Sequence, residues 1–123
     1  MSTIKANTLL HSDGSTTTQP SIPALAPAMA KAWVRFNGSG TVGVMAGYNV
    51  SSVTDLGTGQ YRVNYTTNLS SDNYSVVVST SGASYSYNSR PNDLTTSNCA
   101  IDVSNGSSAY RDDGRVYAVI FAN

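Results

Sequence analysis

VSSVTDLGTGQYRVNY, residues 50–65, is the stretch that decides the fold. Both halves are rich in strand-forming residues, and the Gly57-Thr58-Gly59 segment between them is typical of a hairpin turn. In the second half Tyr61, Val63 and Tyr65 alternate with polar residues, which is the pattern of an antiparallel strand buried on one face. The sequence therefore predicts a β-hairpin with these three side chains in the core. Its predicted strands are Val50 to Leu56 and Gln60 to Tyr65.

Similar strand signals recur on both sides of this hairpin. Further strands are predicted at Ala32 to Phe36, Thr41 to Val44, Tyr74 to Ser79, Ser84 to Tyr87, Asn98 to Val103 and Arg115 to Phe121. Cys99, the single cysteine, alternates in phase with Ile101 and Val103 and is predicted to be a buried small apolar residue. The last strand is expected to lie inside a sheet. These strands predict an all-β fold, a small antiparallel β-sandwich of about eight strands with a jelly-roll-like arrangement.

The composition excludes several classes of protein. Ser, Thr, Asn and Gly supply 53 of the 123 residues, a mixture that suits strands and polar turns better than helices. Lys plus Arg equals Asp plus Glu at seven each, so no net charge attracts nucleic acid or an anionic membrane. There is neither a secretory signal nor an apolar stretch long enough to span a bilayer. We expect synthesis and folding in a cytoplasm, without disulfides.

Residues 1–31 differ from the rest and are predicted to be an extended segment preceding a domain at 32–123. Within this segment, Ser2 to Leu10 is considered as a strand. Pro20, Pro23 and Pro27 favour extended chain over a long helix, and the apolar content is too small for a separate core. Small apolar side chains without a core of their own indicate packing against neighbouring subunits. The candidates for oligomerisation or attachment are Ile4, Leu9, Ile22, Leu25, Met29 and Trp33. For Trp33, packing in the core or between subunits is favoured over stacking on a sugar ring.

Catalytic chemistry has little support in this sequence. One histidine, one cysteine and no glutamate cannot readily supply paired acid and base groups, so no enzyme, metal or cofactor is predicted. His11 lies in a polar turn without a partner at metal-ligand spacing. Asp112-Asp113-Gly114 is interpreted as a turn, because adjacent residues in extended chain point to opposite faces.

Tyrosine is the more informative residue type, since eight are present and they cannot all lie in the core. Two segments combine tyrosine with Arg, Asn or Asp, a mixture that suits recognition because Tyr supplies rigid contact area and the others supply directed hydrogen bonds. The receptor-binding candidates are Tyr85, Tyr87, Asn88, Arg90, Tyr110, Arg111 and Asp112. For Tyr85 and Tyr87 a second interpretation stays open, in which they cover the sheet or a subunit interface.

Several segments between Ile4 and Val77 resemble tail-fibre-type proteins of marine and cyanobacterial phages. The resemblance is carried by Ile4 to Thr8, Ser12 to Thr17, Pro20 to Pro23, Ala30 to Thr41, Tyr48 to Thr67 and Asn73 to Val77. Arg35 departs from it, standing where a neutral polar residue is expected. The resemblance implies a virion appendage, commonly trimeric, that meets the host envelope. The stretch from Ser79 to Ala109 lies outside it and is expected to hold the specificity.

Two hypotheses follow from the residues and the resemblance together. In the first, the protein is a homotrimeric tail-fibre adhesin whose tyrosine loops bind a host surface glycan or protein. In the second, it is a head decoration or tail-assembly protein that binds other virion proteins through the N-terminal segment and its tyrosines. A glycan-degrading spike is the third and least favoured possibility.

Overall fold

The computed structural model describes residues 2–8, 10–14, 25–82, 85–87, 93–107 and 109–122. A short 3-10 helix, Ala26–Ala28, precedes the strands. The strands are β1 (Ala32–Asn37), β2 (Gly43–Tyr48), β3 (Val50–Gly57), β4 (Gln60–Tyr65), β5 (Tyr74–Thr80), β6 (Tyr85–Tyr87), β7 (Asn98–Ser104) and β8 (Val116–Ala122). The predicted all-β class is confirmed. None of the described helices is long and apolar enough to cross a membrane.

The strands form two four-stranded antiparallel sheets. Sheet A has the order β2-β1-β8-β5, and sheet B has the order β3-β4-β7-β6. The prediction that the last strand lies inside a sheet is confirmed, since β8 hydrogen-bonds to β1 on one side and to β5 on the other.

The β3–β4 hairpin confirms the prediction made from residues 50–65. Val53 pairs with Val63 and Asp55 with Tyr61, and the register shifts near both ends of β3. Gly59 in the turn has φ +67°, a conformation that a residue with a Cβ adopts only with strain.

The two sheets pack face to face and share one hydrophobic core. Burial alternates along β1 and β8 of sheet A and along β4 of sheet B, as the period-two pattern requires. Phe36 of sheet A and Tyr61 of sheet B meet edge to face, with ring centroids 5.1 Å apart. Burying a side chain of this size contributes about 2 kcal/mol. The fully buried apolar side chains of the core include Val34, Phe36, Tyr61, Val63, Cys99, Ile101, Val103, Val116 and Ile120.

Two strand predictions need correction. The strand predicted at Thr41 to Val44 runs instead from Gly43 to Tyr48, because pairing with β1 across a bulge overrides the weak strand propensity of its Ala and Gly residues. The strand considered for Ser2 to Leu10 is absent over residues 2–8, which form no strand pairing with any described segment.

The folded chain has two distinct ends. At the terminal end, Ala32 at the start of β1 pairs with Ile120 near the close of β8, and the Lys31 backbone N–H donates to the Ile120 carbonyl at 2.8 Å. At the loop end lie the β1–β2 turn, the β3–β4 turn and the β7–β8 loop. The segment before Ala32 therefore enters on the side opposite to these loops.

Asn49 connects two neighbouring segments at the terminal end through its side chain. It is the one residue between β2 of sheet A and β3 of sheet B, and it adopts φ +54°, which Asn tolerates better than most residues. Its side-chain amide donates to the carbonyls of Lys31 and Thr67 at 3.1 Å and 3.0 Å, and its Oδ1 accepts the Thr67 N–H at 2.7 Å. One side chain thus joins both sheets to the entry of the N-terminal segment.

Candidate functional site

The candidate site lies at the loop end, around the last residues of β7. Ser104 pairs with Tyr85 of β6 and forms an isolated bridge with Tyr110, while Asp102 pairs with Tyr87. The backbone therefore brings three of the predicted tyrosines to one region of sheet B. Asn88, Arg90 and the side chains of Tyr85 and Tyr87 lie outside the described part of the structure.

Tyr110 presents a fixed aromatic ring to solvent. Its side chain is 45% exposed, and its hydroxyl donates to Oδ2 of Asp102 at 3.3 Å. Asp102 is only 2% exposed, so the phenol is held by a group inside the fold. A ring held this way offers contact area with little further loss of conformational entropy on binding.

Arg111 combines a fixed backbone with an exposed side chain. Its N–H donates to the Val103 carbonyl at 3.0 Å, which continues the sheet pairing begun at Tyr110. The guanidinium group has no ion pair within the described residues. Its five N–H donors suit hydroxyl, carboxylate or phosphate oxygens of a ligand.

Asp112, also predicted as a contact residue, serves the fold itself. Its Oδ1 accepts the Gly59 N–H at 2.7 Å and lies 3.2 Å from the Tyr61 hydroxyl oxygen. The carboxylate therefore latches the β7–β8 loop to the β3–β4 turn. Sequence reasoning missed this contact because its partners are 53 and 51 positions away and carry no local signal.

Tyr61 extends the latch to the third loop. Its buried hydroxyl donates to the Gly38 carbonyl at 2.6 Å, and the Gly38 N–H donates to the Asp113 carbonyl at 2.9 Å. Burial, helped by the Asp112 carboxylate, raises the pKa of Tyr61 well above its usual value of 10.0, so the phenol stays protonated and donates. The three loops at this end consequently form one hydrogen-bonded platform.

Asp113 faces away from Asp112 and has different partners. Its side chain is 8% exposed, and its Oδ1 accepts the Arg115 N–H at 2.9 Å and the Ser81 hydroxyl at 3.4 Å. The two adjacent carboxylates thus have separate partners. This arrangement differs from the two facing carboxylates of glycosidases.

Other groups with chemical potential have structural contacts. His11 lies in the predicted turn, with Nδ1 3.0 Å from Oδ1 of Asp13. Cys99 is fully buried, as predicted, and burial raises the pKa of its thiol to about 11, which disfavours the reactive thiolate. Among the described residues, no group of three His, Cys, Asp or Glu side chains is arranged to hold a metal ion.

The candidates for attachment differ in their exposure. Ile4 is 87% exposed and Leu25 is 49% exposed, whereas Met29 is half-buried. Trp33 is 41% exposed on the outer side of sheet A, which rules out packing in the core. Leu9 and Ile22 fall outside the described residues.

Sequence reasoning missed the surface around Trp33. Directly paired residues of a sheet share a face, so the outer side of sheet A carries one row of Tyr48, Trp33, Val119 and Val77 and a second row of Ala46, Arg35, Tyr117 and Ser79. Phe121 follows on the same side of β8. We call this surface the aromatic face; it comprises Trp33, Arg35, Tyr48, Val77, Tyr117, Val119 and Phe121.

The outer side of sheet B is different in character. Its central strand β4 presents Gln60, Arg62 and Asn64, and the Asn64 side-chain amide donates to the hydroxyls of Ser52 and Thr54 at 3.0 Å and 2.9 Å. The outer side of sheet A is therefore aromatic and aliphatic. The outer side of sheet B presents hydrogen-bonding groups along β4, next to β7, where the outward residues Ala100 and Asp102 are buried.

Comparison of this chain with family models, with curated proteins and with solved structures finds no match in any of the three. The function is therefore inferred from the sequence and the geometry of this chain.

Proposed function

We propose that the protein is a virion structural protein, a tail-fibre or receptor-binding component that acts as a homotrimer and adheres to the host surface. The observation that carries this proposal is that the N-terminal segment and the candidate site lie at opposite ends of the fold. The N-terminal segment enters at the terminal end, while Tyr110 and Arg111 stand at the loop end. An adhesin needs this separation, because one end is tethered while the other meets the receptor.

The platform at the loop end supports a binding role. Hydrogen bonds through Tyr61, Gly38 and Asp112 hold the loops in one arrangement, so a ligand would meet preorganised groups. Exposed Tyr110 and Arg111 on such a platform match the stacking and hydrogen-bonding needs of a host surface glycan. Three such sites in a trimer would strengthen weak binding through avidity.

The finer topology of the sandwich belongs to the same proposal. The spatial order β8-β5-β6-β7 follows the Greek-key path, with β5 and β6 adjacent across the two sheets rather than hydrogen-bonded. A jelly roll contains two such keys, and this one supports a jelly-roll-like arrangement.

Competition with virion adsorption tests the adhesin. Purified protein is expected to reduce adsorption of the virion to host cells, and Tyr110→Ser is expected to weaken that competition at least tenfold while the circular dichroism spectrum is unchanged. Tyr85→Ala combined with Tyr87→Ala is expected to do the same. Asn68→Ser, at an exposed position of the terminal end, is the control and should compete like the wild type. Equal competition by all variants, or none by the wild type, would reject the proposal.

A second candidate is a head decoration or tail-assembly protein, and the aromatic face favours it. An exposed surface containing Trp33, Tyr117 and Phe121 suits contact with other virion proteins. Electron cryomicroscopy of the intact virion separates the two functions. Density at the distal end of a tail appendage with the loop end outward is expected for the adhesin, and density on the head with the loop end buried is expected for the second candidate.

A further inference from the structure

Sheet A has an unusual distribution of charge. Its four strands contain no acidic residue, and Arg35, at the centre of the aromatic face, is their only charged residue. Arg35 pairs across β1 with Ala46 on one side and Tyr117 on the other. Its Nε atom is buried and has no hydrogen-bond partner within the described residues. A donor buried in this way is destabilising unless an acceptor is supplied, and the described part of the subunit supplies none.

The side chains around Arg35 are those of a protein interface. Trp33, Val77 and Phe121 are 41%, 60% and 36% exposed, and Tyr48, Tyr117 and Val119 are partly exposed beside them. Trp, Tyr and Arg are the residues that most often dominate binding energy at the centre of protein interfaces. The face is the flat side of a sheet, about 15 Å wide from the strand spacing, and it is not a concave site of the kind that encloses a small molecule.

The described part of the N-terminal segment leaves this face open. Ile4 and Leu10 are 87% and 47% exposed, so neither packs on it. The 3-10 helix reaches the border of the face, where Pro27 and Phe121 line a shallow groove together with Tyr74. The described part of the segment therefore enters beside the aromatic face without covering it.

Charge favours a copy of the same chain as the occupant. The protein has a formal net charge of zero, so no electrostatic repulsion opposes self-association. Each copy also carries exposed carboxylates, including Asp72 in the loop before β5, that can accept a hydrogen bond from Arg35 of a neighbour. A face with one charge in four strands lacks the alternating charges by which interfaces select an unlike partner.

We infer that the aromatic face is the surface through which copies of this chain associate, with Arg35 bonding to an oxygen acceptor of the neighbouring copy. This inference deepens the proposed homo-oligomer by assigning its contact to sheet A, which leaves the hydrogen-bonding side of sheet B and the loop end free for a receptor. It also assigns Trp33 to the contact between subunits.

Sedimentation of the full chain from about 1 to about 100 μM tests the inference. The wild type is expected to associate in this range, and Arg35→Glu and Trp33→Ser are each expected to raise the dissociation constant at least tenfold. Arg62→Glu is the matched control: Arg62 also points outward from a central strand and is partly buried, but it belongs to sheet B. It should associate like the wild type. If Arg35→Glu is misfolded by circular dichroism, Val77→Arg at the exposed edge strand replaces it.

Two results would overturn the inference: a wild type that stays monomeric throughout the range, or an Arg62→Glu variant that weakens association as much as Arg35→Glu. The adsorption competition assay reports separately on the proposed function. A protein that associates through sheet A but never competes for host cells rejects the adhesin alone. A monomer that competes rejects the contact and the homotrimer but leaves adhesion to the host standing.

Discussion

Gly59→Ala is expected to release the platform at the loop end. A Cβ built at Gly59 would lie 2.4 Å from the Val103 carbonyl oxygen and 2.6 Å from the Arg111 nitrogen, both backbone atoms. Neither can rotate away, so the β3–β4 turn must move from β7 and the β7–β8 loop.

The magnitude follows from the contacts that this movement breaks. Three hydrogen bonds cross the region: Gly59 N–H to Asp112 Oδ1 at 2.7 Å, Val103 N–H to the Gly59 carbonyl at 2.7 Å, and Arg111 N–H to the Val103 carbonyl at 3.0 Å. Each contributes about 1 kcal/mol, and forcing Ala into the left-handed region adds about 1 kcal/mol. We therefore expect Gly59→Ala to lower the free energy of unfolding by about 4 kcal/mol.

Gly40 supplies a matched control. It has the same φ of +67°, but no atom lies within 4 Å of a Cβ built there. Gly40→Ala is expected to cost about 1 kcal/mol, so the difference of about 3 kcal/mol isolates the contacts from the backbone strain. Urea unfolding followed by far-UV circular dichroism at one fixed protein concentration measures both variants.

Hydrogen exchange gives a second measurement on the same pair. The Arg111 amide should exchange faster in Gly59→Ala than in the wild type and should be unchanged in Gly40→Ala. Equal destabilisation of the two variants, within about 0.5 kcal/mol, would show that the close contacts of Gly59 do not hold the loops together.

Three further predictions concern the same core and latch. Asp112→Ala is expected to lower the free energy of unfolding by about 2 kcal/mol. Asp112→Asn keeps an oxygen that accepts the Gly59 N–H, so it should retain most of this stability. Equal losses in the two variants would contradict the contact between Asp112 and Gly59. Ile120→Ala, at a fully buried position of β8, is expected to cost about 3 kcal/mol in urea unfolding, and a cost under about 1 kcal/mol would be inconsistent with its burial. Burial raises the pKa of Cys99 from 9.0 to about 11 and that of Tyr61 above 10.0, so the unfolded chain loses these protons at lower pH than the folded chain does. The free energy of unfolding should therefore fall as pH rises above 9, by up to about 1.4 kcal/mol per pH unit for each group. A urea midpoint that stays constant to pH 11 would speak against it, and Tyr61→Phe should flatten the decline above pH 10.

Alternation of side chains predicted the parts of the fold that depend on local pattern. Tyr61, Val63 and Cys99 are buried as their spacing indicated, since a strand with one apolar face can place it only against a core. β2 was predicted too short because its Ala and Gly residues gain their strand geometry from β1. Pattern along a strand carries no information about which strands are neighbours.

The sequence predicted which residues lie in the candidate site, but it did not predict what Asp112 does there. Tyr110 and Arg111 were identified because aromatic and charged residues stand together in a turn, and their side chains are exposed. Asp112 belongs to the same segment, yet its carboxylate bonds to Gly59, far away in the chain. Of the aromatic face only Trp33 was a candidate, because Val77 and Val119 become its neighbours only through pairing of β1, β8 and β5.

The central position of β8 in sheet A has a consequence for the order in which the protein becomes active. β8 is the last of the described strands to leave the ribosome, and until it arrives β1 and β5 have no partner between them. Tyr117, Val119 and Phe121 of the aromatic face arrive with it. A nascent chain thus cannot present a complete aromatic face until β8 has left the ribosome, so the association proposed above for crowded copies is delayed until all four strands of sheet A are available.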